Sequence, residues 1–193
     1  MSFVIGVATR PYPGECVSGD DWLIDIYEGI CRLTVLDALG HGPAAAAVAQ
    51  IAKEAIAARP DLDPMETLRV GHGALTGTRG AAISVATLDP TAGRLTFAGI
   101  SNVEGSVFLA GRQERLITYR GIVGSASRTV RPFDHSLVAD WLLIVHTDGV
   151  SNRFDLDQLA GVDRHDVQAL ADAILARWAR KTDDATVLVA RSA

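Results

Sequence analysis

Short apolar, β-branched runs recur along this chain in groups, with the helical stretches set apart from them, and that grouping limits the fold more than any other feature. Phe3 to Thr9 is one such run, closed by Arg10-Pro11-Tyr12-Pro13-Gly14. Trp22 to Tyr27 alternates large apolar residues with Asp25, and Glu28-Gly29 turns the chain into a further strand from Ile30 to Leu36. The alanines from Ala44 to Ala58 predict a helix, with Pro43 in its first turn and Pro60 as its stop. A second helix is expected from Pro64 to about Thr76, where the early Glu66 complements the positive end of the helix dipole.

The middle of the chain is β-rich. Ala81 to Leu88, Arg94 to Ala98, Ser106 to Ala110 and Arg115 to Tyr119 read as strands of an antiparallel meander. Trp141 to Thr147 is an apolar strand ending at Asp148-Gly149, Val167 to Ala179 has helical spacing, and Ala185 to Ala190 is the last strand. Grouped strands with grouped helices indicate an α+β layered fold rather than alternating βαβ units. The 193 residues contain no linker, repeat or low-complexity segment, so one domain over residues 1–193 is expected.

The formal charge of −5 gives no general attraction for nucleic acid or anionic lipid. No apolar run reaches the roughly 18–20 residues that span a bilayer, and the N-terminus lacks the pattern of a signal peptide. A cytoplasmic protein is expected, with Cys16 and Cys31 reduced, since they are spaced neither as a metal knuckle nor as a redox pair.

Six aspartates stand at the ends of apolar strands. Asp20 and Asp21 precede Trp22, Asp37 follows Leu36, Asp148 follows Thr147, and Asp183 and Asp184 precede Ala185. In antiparallel neighbours the C-terminal end of one strand lies beside the start of the next. These carboxylates can therefore meet at one rim, where they would repel one another unless a positive charge lay between them. No lysine or arginine stands next to these positions, apart from Lys181 near Asp183. A hard divalent cation, or a pair, is the economical answer, and magnesium and manganese favour such oxygen ligands. Two such ions can share a water and lower its pKa, a route to phosphate-ester hydrolysis without a protein nucleophile. No cysteine followed by a phosphate loop and no G-x-S-x-G elbow is present. Taken singly, Asp148-Gly149, Asp20-Asp21 and Asp183-Asp184 also fit ordinary turns.

At these residues the chain resembles the metal-dependent protein phosphatase (PPM, protein phosphatase 2C-like) family, and within it the bacterial SpoIIE and RsbX branch. The matching pieces fall in family order: Ser18-Gly19-Asp20-Asp21, Asp37-Ala38-Leu39-Gly40-His41-Gly42, Gly80-Ala81-Ala82, Phe97-Ala98-Gly99-Ile100-Ser101-Asn102, Gly121 to Gly124, Thr147-Asp148-Gly149-Val150 and Asp183-Asp184-Ala185-Thr186. The resemblance implies an α-β-β-α sandwich of two antiparallel sheets, Mn2+ or Mg2+ as two ions, and a serine/threonine phosphoprotein substrate. It implies that Asp37 bridges the ions and that the Ala38 carbonyl is a further ligand. Asp148 and Asp183 would hold one ion and Asp20 the other, directly or through water, with Asp184 ranked below Asp183.

The chain departs from the family pattern in having Ala38 where glycine is common and no arginine between Gly14 and Gly19, while Arg10 is off-register. His41 lies farther along than the family's histidine, so it is a candidate general acid or a plain loop histidine. Standalone members of the branch act on phosphorylated STAS-domain proteins of the stressosome, which is the partner expected here, and a monomer is favoured.

Two other classes compete. A haloacid-dehalogenase-type enzyme would need a second aspartate two residues after Asp37, where Leu39 stands. A catalytically inactive, phosphatase-like binding module would be expected to have lost part of the acidic set.

Overall fold

The computed structural model describes residues 3–109, 111–125, 130–137 and 140–192. Its elements in chain order are β1 (Phe3–Arg10), β2 (Asp20–Tyr27), β3 (Ile30–Ala38), α1 (Gly42–Ala57), α2 (Pro64–Leu75), β4 (Ala81–Asp89), β5 (Arg94–Ile100), β6 (Glu104–Leu109), β7 (Arg112–Leu116), β8 (Phe133–Ser136), β9 (Leu142–His146), α3 (Val167–Trp178) and β10 (Ala185–Ser192). They form two five-stranded sheets, ordered β1-β10-β9-β6-β7 and β2-β3-β4-β5-β8. The pairings within both sheets are antiparallel.

Side chains alternate across a strand, so each central strand supplies two cores. Leu33 and Val35 of β3 meet Leu143, Val145, Leu188 and Ala190 of the other sheet in the layer between the sheets. The opposite face of β3 carries Leu36 and Ala38 into a second core under α1 and α2. Likewise Val187 and Val189 of β10 pack under α3 with Leu170 and Ile174. The molecule is therefore a four-layer α-β-β-α sandwich, as the resemblance implied. Covering both faces explains why β3, β4 and β10 read as continuous apolar runs rather than alternating ones.

The helices follow from local chemistry. Ala45, Ala49 and Ala52 let α1 lie close against the sheet, and Pro43 occupies its first turn. Asp63 and Glu66 form a capping box at α2, a stronger start signal than the dipole argument alone.

The expected meander is a correction. After β5 the chain crosses to the other sheet, so β4 and β5 pair in one sheet and β6 and β7 in the other. The strand expected at Arg115 to Tyr119 runs instead from Arg112 to Leu116. Tyr119 makes an isolated bridge back to Ile100. The strand β8, Phe-Asp-His-Ser, lies at a sheet edge and carries too few apolar residues to show a strand pattern. Ala110, the expected end of β6, lies outside the described residues.

Candidate metal centre

The register of β2 and β3 sets Asp20 directly opposite Asp37 at one end of their sheet. In the other sheet, Asp148 follows β9 and Asp183 precedes β10, and those two strands are hydrogen-bonded neighbours. The sandwich stacks these sheet ends, so Asp37, Asp148 and Asp183 line one cleft of about 370 Å³. Leu39, Gly40, His41, Ser101, Asn102 and Ile122 complete its main walls.

Asp20, Asp148 and Asp184 are each positioned by a traceable contact. Asp20 is buried, and its Oδ2 accepts the Thr147 hydroxyl at 2.7 Å. Thr147 Oγ1 in turn accepts the Thr186 N–H at 2.9 Å, which ties Asp20 of one sheet to β10 of the other. The Asn102 amide donates to Asp148 Oδ2. Asp184 is buried and accepts the N–H groups of Tyr12 at 2.7 Å and Gly19 at 3.0 Å, so it anchors the loop that leads into β2. Gly149 has no room for a side chain: a Cβ there would stand 1.7 Å from the Asp184 carbonyl oxygen. That close approach sets the Asp148 turn against the Asp183-Asp184 pair. Ala38 is fully buried, and its N–H donates to the Gly19 carbonyl at 3.1 Å.

Three members of the acidic set, Asp20, Asp21 and Asp184, are not among the residues that line the cleft; Asp20 sits buried behind it, opposite Asp37. Asp21 points the other way, where its carboxylate takes Lys53 Nζ at 2.7 Å and the Trp22 N–H. Asp184 is spent on backbone amides, as above. The departure of Asp21 follows from strand alternation, which sends adjacent residues of β2 to opposite faces. Arg10 lies outside the cleft walls and donates to the backbone carbonyls of Arg180 and Asp183. His41 does reach the cleft wall. Its Nδ1 lies 3.0 Å from Glu15 Oε1, and its ring stacks on Tyr12 at 4.1 Å between centroids.

The electrostatics match a site built around positive charge. Burial pushes the Asp37 carboxyl up to about 8, and the charges of Asp20, Asp148, Asp183 and Asp184 add to the rise. Burial likewise raises Asp20 to about 7 against the opposing hydrogen bond from Thr147. Asp183 is raised by burial and by Asp148. Without a cation the site favours protons over ionised carboxylates. The donors are hard carboxylate oxygens, which fit magnesium or manganese. Among the described residues no group of three or more histidine, cysteine, aspartate or glutamate side chains converges closely enough to hold a metal ion. The carboxylates frame an open cleft, and water would complete the coordination of an ion there.

Sequence reasoning did not single out Asn102 or Thr147 as supports, nor Asp184 as a loop anchor. Asn102 and Thr147 lay inside matched motifs, but their partners are 46 and 127 residues away, beyond any local pattern.

An antiparallel α-β-β-α sandwich with carboxylates gathered at one rim defines a PPM, protein phosphatase 2C-like protein of the SpoIIE/RsbX type. Residues 28–193 match the family model "Stage II sporulation protein E (SpoIIE)", and the chain belongs to that family. Among solved structures it is similar to a chain described under "The bacterial stressosome: a modular system that has been adapted to control secondary messenger signaling". That match has 28% identity, covers 99% of this chain and 100% of the other, and has a TM-score of 0.90. RsbX in complex with magnesium matches at 17% identity over 97% of this chain and 94% of its own, with a TM-score of 0.86. The catalytic domain of the serine/threonine phosphatase PstP with two manganese ions matches at 16% identity over 97% of each chain, with a TM-score of 0.75. No curated protein sequence is similar enough to count as a match.

Proposed function

We propose that this chain is a metal-dependent serine/threonine phosphoprotein phosphatase, one domain over residues 1–193, acting as a monomer in the cytoplasm. The observation that carries the reading is the meeting of Asp37, Asp148 and Asp183 in one cleft, with Asp20 opposite Asp37 across the β2–β3 pair. No helix among the described residues is long and apolar enough to cross a membrane.

Asp20, Asp37, Asp148 and Asp183, with the Ala38 carbonyl, are the groups that would hold two Mn2+ or Mg2+ ions, Asp37 being the ligand they would share. When bound, such ions supply a more acidic water as nucleophile and neutralise charge on the phosphoryl oxygens. The chain's own groups do the rest. Thr147 fixes the Asp20 carboxylate, Asn102 fixes Asp148, and Asp184 holds the loop from Tyr12 to Gly19 in place. His41 stands at the wall with its ring held by Tyr12 and Glu15, within the cleft but braced from outside it.

The substrate we infer is a phosphorylated STAS-domain protein of a stressosome pathway. The support is the similarity, over nearly the full length of both chains, to the stressosome-described structure. Incubation of a phosphorylated STAS protein with the chain and Mn2+ should release its phosphate. Asp148→Asn should lower that rate at least about 100-fold while leaving the fold intact. A STAS protein that stays phosphorylated while a small phosphate ester is hydrolysed would overturn the substrate and keep the chemistry. Near-normal turnover by Asp148→Asn would overturn the site.

A further inference from the structure

Beside the acidic cleft, a seated cation adjoins the backbone of Leu39, and Ile122 covers the glycine next to it in the chain; the chemistry above uses none of the three. Arg79 lies in the connection between α2 and β4. Its Nη1 donates to the Leu39 carbonyl at 2.9 Å. Gly40 makes the space: a Cβ there would stand 2.7 Å from the same Nη1, and the residue also has φ +90°. The guanidinium is thus held against the loop that follows Asp37. Ile122 packs over Gly80, immediately next in the chain, where a Cβ would stand 2.4 Å from its Cγ2. Leu39 and Ile122 are 41% and 36% exposed, and both line the cleft.

An arginine has five N–H donors in a rigid fork. One is engaged with the Leu39 carbonyl, and among the described residues no carboxylate pairs with Arg79. A pre-positioned fork beside apolar surface is suited to a carboxylate that arrives with a peptide. The cleft walls themselves carry Asp37, Asp148 and Asp183 and no lysine or arginine. An acidic substrate segment would be repelled inside and attracted at this rim.

We propose that Leu39, Arg79 and Ile122 form a docking rim that selects phosphopeptides bearing an acidic residue beside the phosphorylated one. Arg79 is a specificity-determining residue in this scheme, gripping the carboxylate while Leu39 and Ile122 cover the adjoining apolar portion of the peptide. The inference rests on the phosphatase reading and deepens it by naming what flanks the phosphoresidue.

The test compares wild type, Arg79→Ala and Arg79→Lys on three Mn2+-supported substrates. These are p-nitrophenyl phosphate, a phosphothreonine peptide with aspartate next to the phosphoresidue, and the same peptide with alanine there. Arg79→Ala should raise KM for the aspartate peptide about five- to tenfold with kcat unchanged. The other two substrates should change by less than about twofold, and Arg79→Lys should be intermediate. Peptide affinity read by fluorescence anisotropy should follow the same order, so a chain without turnover still reports on Arg79. Equal losses on all three substrates would place Arg79 at the phosphoryl group, and no change on any would remove it from recognition; either result overturns the docking rim. Failure of wild type to hydrolyse any substrate, with peptide discrimination intact, would overturn the phosphatase reading alone.

Discussion

At the scale of single residues, the site is held by contacts whose loss has distinct signatures. Gly149 is fixed by space, since its backbone lies against the Asp184 carbonyl. Gly149→Ala should cost about 3 kcal/mol in chemical denaturation, because the turn and β10 must separate to admit a methyl group. A loss below about 1 kcal/mol would show that the turn is not so confined. Asp37 is fixed by charge. Its folded-state carboxyl is raised to about 8, above the ordinary 3.8, so the folded protein binds a proton that the unfolded chain has lost. Its contribution to stability is therefore present below pH 3.8 and declines as pH rises towards 8. In metal-free protein, Asp37→Asn should raise Tm above wild type by at least about 3 °C at high pH, the gain shrinking towards pH 4. An Asn variant less stable than wild type at high pH would contradict the repulsion. Comparing variants at each pH also cancels buried His146, whose lowered pKa acts in the opposite sense.

Elements place these residues, and here the legibility of the sequence divides. Strand ends were readable, because apolar runs stop where an aspartate stands, and the ends of β3 and β9 fall at or within two residues of Asp37 and Asp148. The direction of each carboxylate was not taken from the sequence, although strand alternation contains it: Asp21 must leave the face that Asp20 occupies. The crossing between sheets after β5 had no local signal, since a Gly-rich connection looks the same whether the next strand pairs or departs. Arg32 was equally hidden within an apolar strand. It is 2% exposed and donates to Asp25 Oδ2 at 2.5 Å, to the Ile56 and Arg59 carbonyls at 3.1 and 2.6 Å, and to the Thr67 hydroxyl at 3.1 Å. It thereby ties the end of α1 to both α2 and the second sheet. Asp25→Ala should leave that guanidinium buried without its counter-charge and cost about 3–5 kcal/mol in urea unfolding. A cost typical of a surface pair, below about 1 kcal/mol, would mean that the backbone carbonyls satisfy Arg32 unaided.

For the molecule as a whole, the sandwich serves to bring together residues from distant parts of the chain. Asp20 and Asp37 come from the sheet backed by α1 and α2, and Asp148 and Asp183 from the sheet backed by α3. The hydroxyl of Thr147 bridges the two sheets at the rim they share. Neither sheet alone assembles the cleft, so the fold and the site are one requirement. On the proposed reading, this carboxylate rim holds divalent ions that drive phosphate-ester hydrolysis. The most direct measurement is hydrolysis of p-nitrophenyl phosphate with and without Mn2+, using Asp37→Ala as the control. Turnover should require Mn2+ and be lost in Asp37→Ala. Turnover that persists without metal, or in the variant, would contradict it, and no turnover with any metal would favour an inactive binding module.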